Sequence, residues 1–432
     1  MKFIEFKELN EKVLFEKLKN GLEVYILRKK DFNSYEARFF TDFGGIDIEF
    51  IPEGEKEMIK MPSGIAHFLE HKLFEQKGRE SVFDFYKKTG TNVNAFTNYN
   101  KTCYYINGTK NFKENLQFLL NFVQEPYLTD KNVEKEKGII IEEAKMRLDN
   151  PNILFAERIL SNLFTKIPYD NTVVGSIKDI KSITKKDLLK CYNTFYHPSN
   201  MKLFVVSPYD EKEVLKIVKE NQDSKKFKKQ NEIVRKKYKE TEKVKVSHDI
   251  LKADVKLKRF CYTIKMKLDT FNSNKIEVHD SIIIYLTLLI GSLSEFNLNL
   301  KKDSLINGDI SYSIDFTEEG EDDFVCIRFY ATTEEEEKII SLLEKELTKK
   351  DVSKEDFEDF KKIIVASTFF SLNTIEGTMA FLCGIYNFFG KLNSDYIKIE
   401  KNLSYEKFME IINKMNLKNK SITILEPKEN ES

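Results

Sequence analysis

The chain has no tryptophan, and among its 432 residues only five are histidine, five cysteine and eight proline. The cysteines, Cys103, Cys191, Cys261, Cys326 and Cys383, are dispersed and form no C-x-x-C pair. That pattern excludes a disulfide framework and a zinc ribbon, and it reads as reduced thiols in a cytoplasmic protein. Net charge is also lacking: 70 Lys and Arg balance 70 Asp and Glu. No basic field therefore argues for nucleic acid as a partner. Nor is there a run of eighteen apolar residues. The longest, Ser281 to Leu293, is too short to cross a bilayer and reads as a buried helix. Met1 to Glu8 shows no apolar core and no small-residue cleavage site, so no signal peptide is expected. What remains is the composition of a soluble globular protein, 41% hydrophobic, long enough for two to four domains.

With histidine so scarce, its placement carries information. Ser63-Gly64-Ile65-Ala66-His67-Phe68-Leu69-Glu70-His71 contains H-x-x-E-H, an inverted form of the zincin motif. On a helix, residues i and i+4 are neighbours, so His67 and His71 project side by side and can converge on one metal ion. Glu70, three residues after His67, lies on the same side and can reach a water without ligating the metal. Phe68 and Leu69 turn away and can anchor the helix. Ser63 is the expected N-cap.

Catalytic zinc takes three protein ligands and keeps a position open. A second segment, Val133 to Met146, offers Glu136 and Glu143, seven residues apart and so on one helix face. Glu142 points about 100° away from Glu143. Either member of the Glu136/Glu143 pair can ligate while the other supports it.

Taken together, His67, Glu70, His71, Glu136 and Glu143 resemble the metal site of the pitrilysin, insulinase and mitochondrial processing peptidase family of inverted-motif metallopeptidases. The resemblance implies that Glu143, 72 residues beyond His71, is the third ligand of a single zinc ion. Glu70 is then the catalytic base and Glu136 a supporting catalytic carboxylate. Asn94-Ala95-Phe96-Thr97 is similar to the family segment that opens an edge strand beside the metal and takes up substrate by strand addition. Thr184-Lys185-Lys186-Asp187-Leu188 and Tyr196-His197-Pro198-Ser199-Asn200-Met201 also resemble the N-terminal family domain, with Thr184 as a helix N-cap. His197 is read as structural, because the following proline imposes extended backbone.

The implied fold is α+β: two homologous α/β-sandwich domains, each a mixed, largely antiparallel sheet covered by helices. Along the first half, strands are expected over Leu22–Arg28, Ala37–Gly45, Thr102–Ile106 and Lys202–Ser207. Helices are expected over Ser81–Lys88 and Met146–Leu163, the latter broken at Asn150-Pro151. Charged residues dominate 210–248, which reads as a solvated linker. The expected division is a metal-binding domain 1–210, a linker 211–245 and a repeat domain 246–432. The second half offers strands at Phe260–Lys267, Ile310–Phe316 and Asp323–Ala331, and helices at Val278–Asn299, Glu334–Lys349 and Lys354–Phe370. It repeats the order of the first without a second H-x-x-E-H.

The details look most like a short bacterial branch that includes proteins associated with elongation factor P aminopentanol modification. A genome rich in A and T is consistent with abundant Lys, Asn, Ile and Phe. Family members grip substrate with an Arg and a Tyr in the second half. Here Tyr312 matches the tyrosine, but Lys301 to Gly308 offers lysine and no arginine, and lysine does not replace a bidentate guanidinium. The resemblance therefore implies a heterodimer with a paralogous subunit that supplies those contacts. The expected activity is a cytoplasmic zinc metalloendopeptidase or processing peptidase acting on peptides or unfolded segments. The alternative is a non-catalytic peptide-binding or regulatory subunit. A zinc-dependent binding module for a modification enzyme, which would tolerate loss of Glu70, is a third reading.

Overall fold

A computed structural model describes residues 1–78, 81–317 and 320–428. The chain opens with β1 (Lys2–Phe6), β2 (Glu11–Lys17), β3 (Glu23–Arg28) and β4 (Tyr35–Thr41), then a short ribbon of β5 (Glu49–Phe50) and β6 (Ile59–Lys60). Next come α1 (Ile65–Leu73), α2 (Val82–Thr89), β7 (Asn92–Thr97) and β8 (Thr102–Gly108). Five helices follow: α3 (Phe112–Gln124), α4 (Asp130–Leu148), α5 (Pro151–Leu163), α6 (Ile177–Ser182) and α7 (Lys185–Phe195). β9 (Met201–Ser207) and α8 (Glu211–Asp223) lead to β10 (His248–Ala253), β11 (Arg259–Lys267), α9 (Lys275–Ile290) and α10 (Glu295–Lys302). The remainder is β12 (Ser311–Thr317), β13 (Phe324–Thr332), α11 (Glu336–Leu347), α12 (Lys354–Ser371), α13 (Ile375–Phe389), α14 (Tyr396–Asn402), α15 (Tyr405–Lys414) and β14 (Lys420–Pro427).

Among the described residues the first compact unit holds a seven-stranded sheet in the order β1-β2-β3-β9-β4-β8-β7, and the second a five-stranded sheet in the order β10-β14-β11-β13-β12. In the first, β3 and β9 run parallel and the other pairs antiparallel. In the second, β10 and β14 are parallel and the rest antiparallel. The series β3-β9-β4-β8-β7 thus has the same order and the same sense as β10-β14-β11-β13-β12. The α+β sandwich and its internal repeat are both present. In chain order α9 fills the slot of α1, between the strands equivalent to β4 and β7.

Successive side chains of a strand point to opposite faces of the sheet, and the central strands of the first sheet are buried on both. In the first unit Ala37 of β4 lies opposite Val205 of β9 and Ile106 of β8, and all three are buried in one core with Phe68 and Leu69 of α1. The reverse face carries Tyr25, Phe40 and Phe204, whose rings also pack on one another. That face is closed by α13, with Tyr386 against both Tyr25 and Phe204, and Phe381 against Phe6.

The compact units do not follow chain order. One comprises Met1–Lys145, Asn171–Lys236 and Thr368–Asp395, and the other Met146–Asp170, Lys237–Ser367 and Tyr396–Ser432. Helix α13 comes from the second half of the chain yet covers the first sheet. Helix α5 comes from the first half and packs on the second sheet, with Phe155 and Ile159 against Ala253, Cys261 and Leu425. Each follows a long helix, α4 or α12, so equivalent elements of the two repeats are exchanged.

Two expectations are corrected. Residues 210–248 are not simply a solvated stretch. Helix α8 buries Val214, Leu215 and Val218, a pattern hidden by its lysines and glutamates. Glu240 is also buried: it accepts from the backbone N–H groups of Lys166 at 2.8 Å and Ile167 at 3.1 Å, and pairs with Lys265 at 3.4 Å. The helix expected over Val278–Asn299 is interrupted after Ile290, and Ser294 caps α10. The stretch Lys275–Lys302 has the length and composition of a membrane span. However, Asp280, Ile282, Ile284, Tyr285 and Leu286 are buried in its own unit, which is the behaviour of a core helix.

A fragment of residues 1–210 leaves the Tyr25–Phe40–Phe204 face uncovered. It is expected to bind a hydrophobic dye and unfold without a sharp transition, and residues 368–395 added in trans should restore cooperativity. A second prediction concerns α9 and α14. Burial, with the Asp280 carboxylate nearby, pushes Glu400 up to about 8, against a partial offset from Tyr396; the ordinary value is 4.5. The folded state then binds the extra proton, so stability falls as pH rises from about 4.5 to about 8. Glu400→Gln should flatten that slope and raise Tm above pH 8, read by thermal melts across the range.

Candidate metal centre

Helix α1 starts at a close contact between two glycines. Gly64 has φ +82°, and a Cβ there would lie 2.1 Å from the Val174 carbonyl oxygen; at Gly175, φ +86°, one would lie 2.4 Å from that of Ser63. Only glycine meets both demands. Gly64, not Ser63, occupies the N-cap position, and it makes no side-chain cap. The Ser63 hydroxyl instead donates to Asp179 in α6 at 2.6 Å. The expected serine cap is thus corrected: the positive φ displaces it, and Ser63 ties the start of α1 to another helix.

From that anchored start, Ile65, Phe68 and Leu69 enter the core, and His67, Glu70 and His71 share the opposite side. Their imidazole centroids are 4.5 Å apart. Nε2 of His67 is 3.5 Å from one oxygen of Glu143, and Nε2 of His71 is 3.5 Å from the other. Among the described residues these three form a group whose donor atoms all lie within 4.8 Å of one another. A tetrahedral zinc with bonds of 2.0–2.1 Å needs donor separations of roughly 3.3 Å, so the donor set fits the ion. Glu142 is exposed and bonded to Lys145 at 2.7 Å.

Glu136 completes the arrangement from one turn pair earlier on α4. His71 Nδ1 lies 3.2 Å from Glu136 Oε1. A proton on Nδ1 donated to Glu136 leaves the Nε2 lone pair for a metal. Burial lowers the His71 pKa, but the Glu136 hydrogen bond and the nearby carboxylates outweigh it and the net direction is upward. Burial raises Glu136, but His71 and Lys72 outweigh it and hold the carboxyl low.

Lys72 was not singled out by the sequence, where it looks like any surface lysine. It is fully buried. Its ammonium donates to the Asn132 carbonyl at 3.2 Å, ion-pairs with Glu75, and sits 3.7 Å from Glu136. The only hint was an acid three residues on, at Glu75.

Glu70 is 7% exposed. The Thr97 hydroxyl donates to its Oε2 at 2.5 Å. Burial raises the Glu70 pKa and Glu143 adds to this; the Thr97 bond and His71 oppose it, and the net shift is up. Thr97 ends β7, the edge strand of the sheet. Along β7, Asn94 is exposed and its Oδ1 accepts from the Ala95 N–H at 2.8 Å. Ala95 packs on the core, and Phe96 is half-exposed near Phe40 and Tyr105. A cleft of about 710 Å³ is lined by Glu70, His71, Phe74, Asn94, Tyr127 and Glu136 among others. Tyr312 belongs to the second unit. It lies on β12, the strand equivalent to β7, and its hydroxyl is 2.6 Å from Thr287 Oγ1. His197 is engaged by Ser199 at 2.8 Å and the Lys228 carbonyl at 2.8 Å, in a capping role.

A repeated α+β sandwich with this cluster on one repeat is the architecture of a peptidase class, and comparison with known proteins gives it a name. The model of insulinase, peptidase family M16, matches residues 55–176, and that of the peptidase M16 inactive domain matches 182–364. The chain belongs to peptidase family M16. It is similar to the uncharacterized zinc protease YmfH of Bacillus subtilis (strain 168), at 41% identity over 320 residues, 74% of either chain. It matches the bovine mitochondrial-processing peptidase subunit beta at 25% over 174 residues, 39% of this chain and 36% of that one, so it spans about a third of that relative. The crystal structure of a putative M16-like peptidase from Alicyclobacillus acidocaldarius superimposes with a TM-score of 0.87 at 27% identity, covering 97% of this chain and 99% of that one.

Lys72→Met removes the ammonium that holds Glu136 without touching a candidate ligand. Zinc affinity, read by competition with a chromogenic chelator, is expected to drop roughly 10- to 100-fold, and Glu136→Gln should do the same.

Proposed function

We propose that this chain is a zinc metalloendopeptidase or processing peptidase of the inverted H-x-x-E-H type, acting on peptides or unfolded segments and paired with a paralogous subunit. The observation that carries the reading is Glu70, buried, held by Thr97 and set beside the donor atoms of His67, His71 and Glu143. Relatives named zinc proteases support the choice of metal. One zinc ion held by those three residues would supply Lewis acidity, making water nucleophilic near neutral pH.

The chain's own residues do the rest. An extended peptide adds to the exposed edge of β7, where Asn94 can bond its backbone and the strand fixes its register. Glu70 takes the proton of the attacking water on the oxygen that Thr97 does not hold, then gives it to the departing amine. Thr97 orients that carboxylate, while Glu136 and Lys72 keep His71 in one tautomer. Tyr312 is a candidate substrate contact. The missing arginine between Lys301 and Gly308 motivates the paired subunit. We assign the complex to the bacterial cytoplasm because the cysteines are unpaired, all five being free and buried.

A second reading has its own support: residues 182–364 match the inactive-domain model. In that reading the chain binds peptides for a partner and cleaves nothing.

Metal content and cleavage of a quenched peptide library separate the two, with wild type beside Glu70→Gln and each with and without the paralogue. We expect about one zinc in both proteins, and in Glu70→Gln a loss of 10²-fold or more in cleavage at unchanged zinc. Cleavage that needs the paralogue supports the split site. Zinc without Glu70-dependent cleavage in any mixture overturns the peptidase reading and leaves the binding subunit.

A further inference from the structure

The second unit has a cavity of its own, of about 430 Å³, under the exchanged helix α5. Its floor is the face of β11, β12 and β13 turned away from the main core. On β13, Arg328, Tyr330 and Thr332 alternate onto that face. Arg259 of β11 lies opposite Thr332, and Ser311 of β12 lies opposite Tyr330. The two arginines are therefore set roughly 13 Å apart along the strands, with the Tyr330 ring between them, and both line the cavity. Its other wall is apolar: Phe155, Ile159 and Leu160 of α5.

The charges in this cavity do not balance. Arg259 donates to the neutral Asn152 Oδ1 at 2.7 Å and has no carboxylate partner among the described residues. Arg328 is ion-paired with Asp315, but its Nε is buried and makes no hydrogen bond. The one carboxylate lining the cavity, Asp309, is taken by Lys301. A guanidinium offers donors in a fixed fork that suits a carboxylate. The volume lies in the range of small-molecule sites.

We infer that this cavity binds a small carboxylic acid with an apolar body. The carboxylate is held by Arg259, and the body lies between Tyr330 and the α5 wall. The site lies in the second compact unit and does not rest on the peptidase reading.

The test uses the full chain stripped of metal with EDTA, because zinc itself binds carboxylates. The probe is 3-phenylpropionate, with 3-phenylpropanamide as its uncharged counterpart, followed by calorimetric titration and saturation-transfer NMR. The acid is expected to bind and the amide to bind at least tenfold more weakly, which is the loss of one charge-assisted bond. Arg259→Gln should weaken the acid by a similar factor. Ala156→Phe, which fills the cavity from the exposed side of α5 and removes no charge, should abolish binding at unchanged circular dichroism. No binding of the acid up to about 10 mM, equal binding of acid and amide, or unaltered binding in both variants would overturn the inference. None of these outcomes touches the Glu70 experiment.

Discussion

Everything at the metal centre depends on helix α1 being unable to turn. Ile65, Phe68 and Leu69 are held in the core of the seven-stranded sheet, and the contact between Gly64 and Gly175 fixes where the helix begins. A rotation of one residue, about 100°, would turn an imidazole into the apolar core and a phenylalanine toward the cleft. The hydrophobic effect and a steric limit therefore decide, well away from any metal chemistry, that His67, Glu70 and His71 point the same way. Glu143 can then meet them because α4 presents one carboxylate face, and Lys72 and Glu136 remove the remaining freedom of His71.

Much of this was readable from the sequence, and the reason is periodicity. A four-residue interval between histidines and a seven-residue interval between glutamates each name a helix face. Spacing alone left Glu136 and Glu143 as alternatives; the family resemblance pointed to Glu143, and the structure brings its carboxylate to His67 and His71. The repeated order of strands and helices along the chain was legible too, and the two sheets repeat it in space. What was not readable depends on pairings between distant residues. Ser63 looked like a cap because serine before an apolar helix normally is one; the loop carrying Gly175 decides otherwise. Lys72 has the identity of a surface residue and the environment of a core one. In α8, charge density concealed Val214, Leu215 and Val218.

The two repeats place different chemistry in one shared slot. Their sheets agree in strand order and sense. Helix α9, in the slot of α1, carries no H-x-x-E-H, and its Asp280 is buried near Glu400. The first repeat uses its slot to gather nitrogen and oxygen donors. The second uses the same slot to fill a core, and its uncommitted polarity lies on the reverse face of its sheet, with Arg259 and Arg328.

The exchange of α5 and α13 also sets the order of events on the ribosome. The first sheet has all its strands once Ser207 has emerged, but its aromatic reverse face stays bare until Phe389 is made. At about 5–20 residues per second, that face waits on the order of 10–40 s. During that interval Tyr25, Phe40 and Phe204 are apolar surface open to water on a nascent chain.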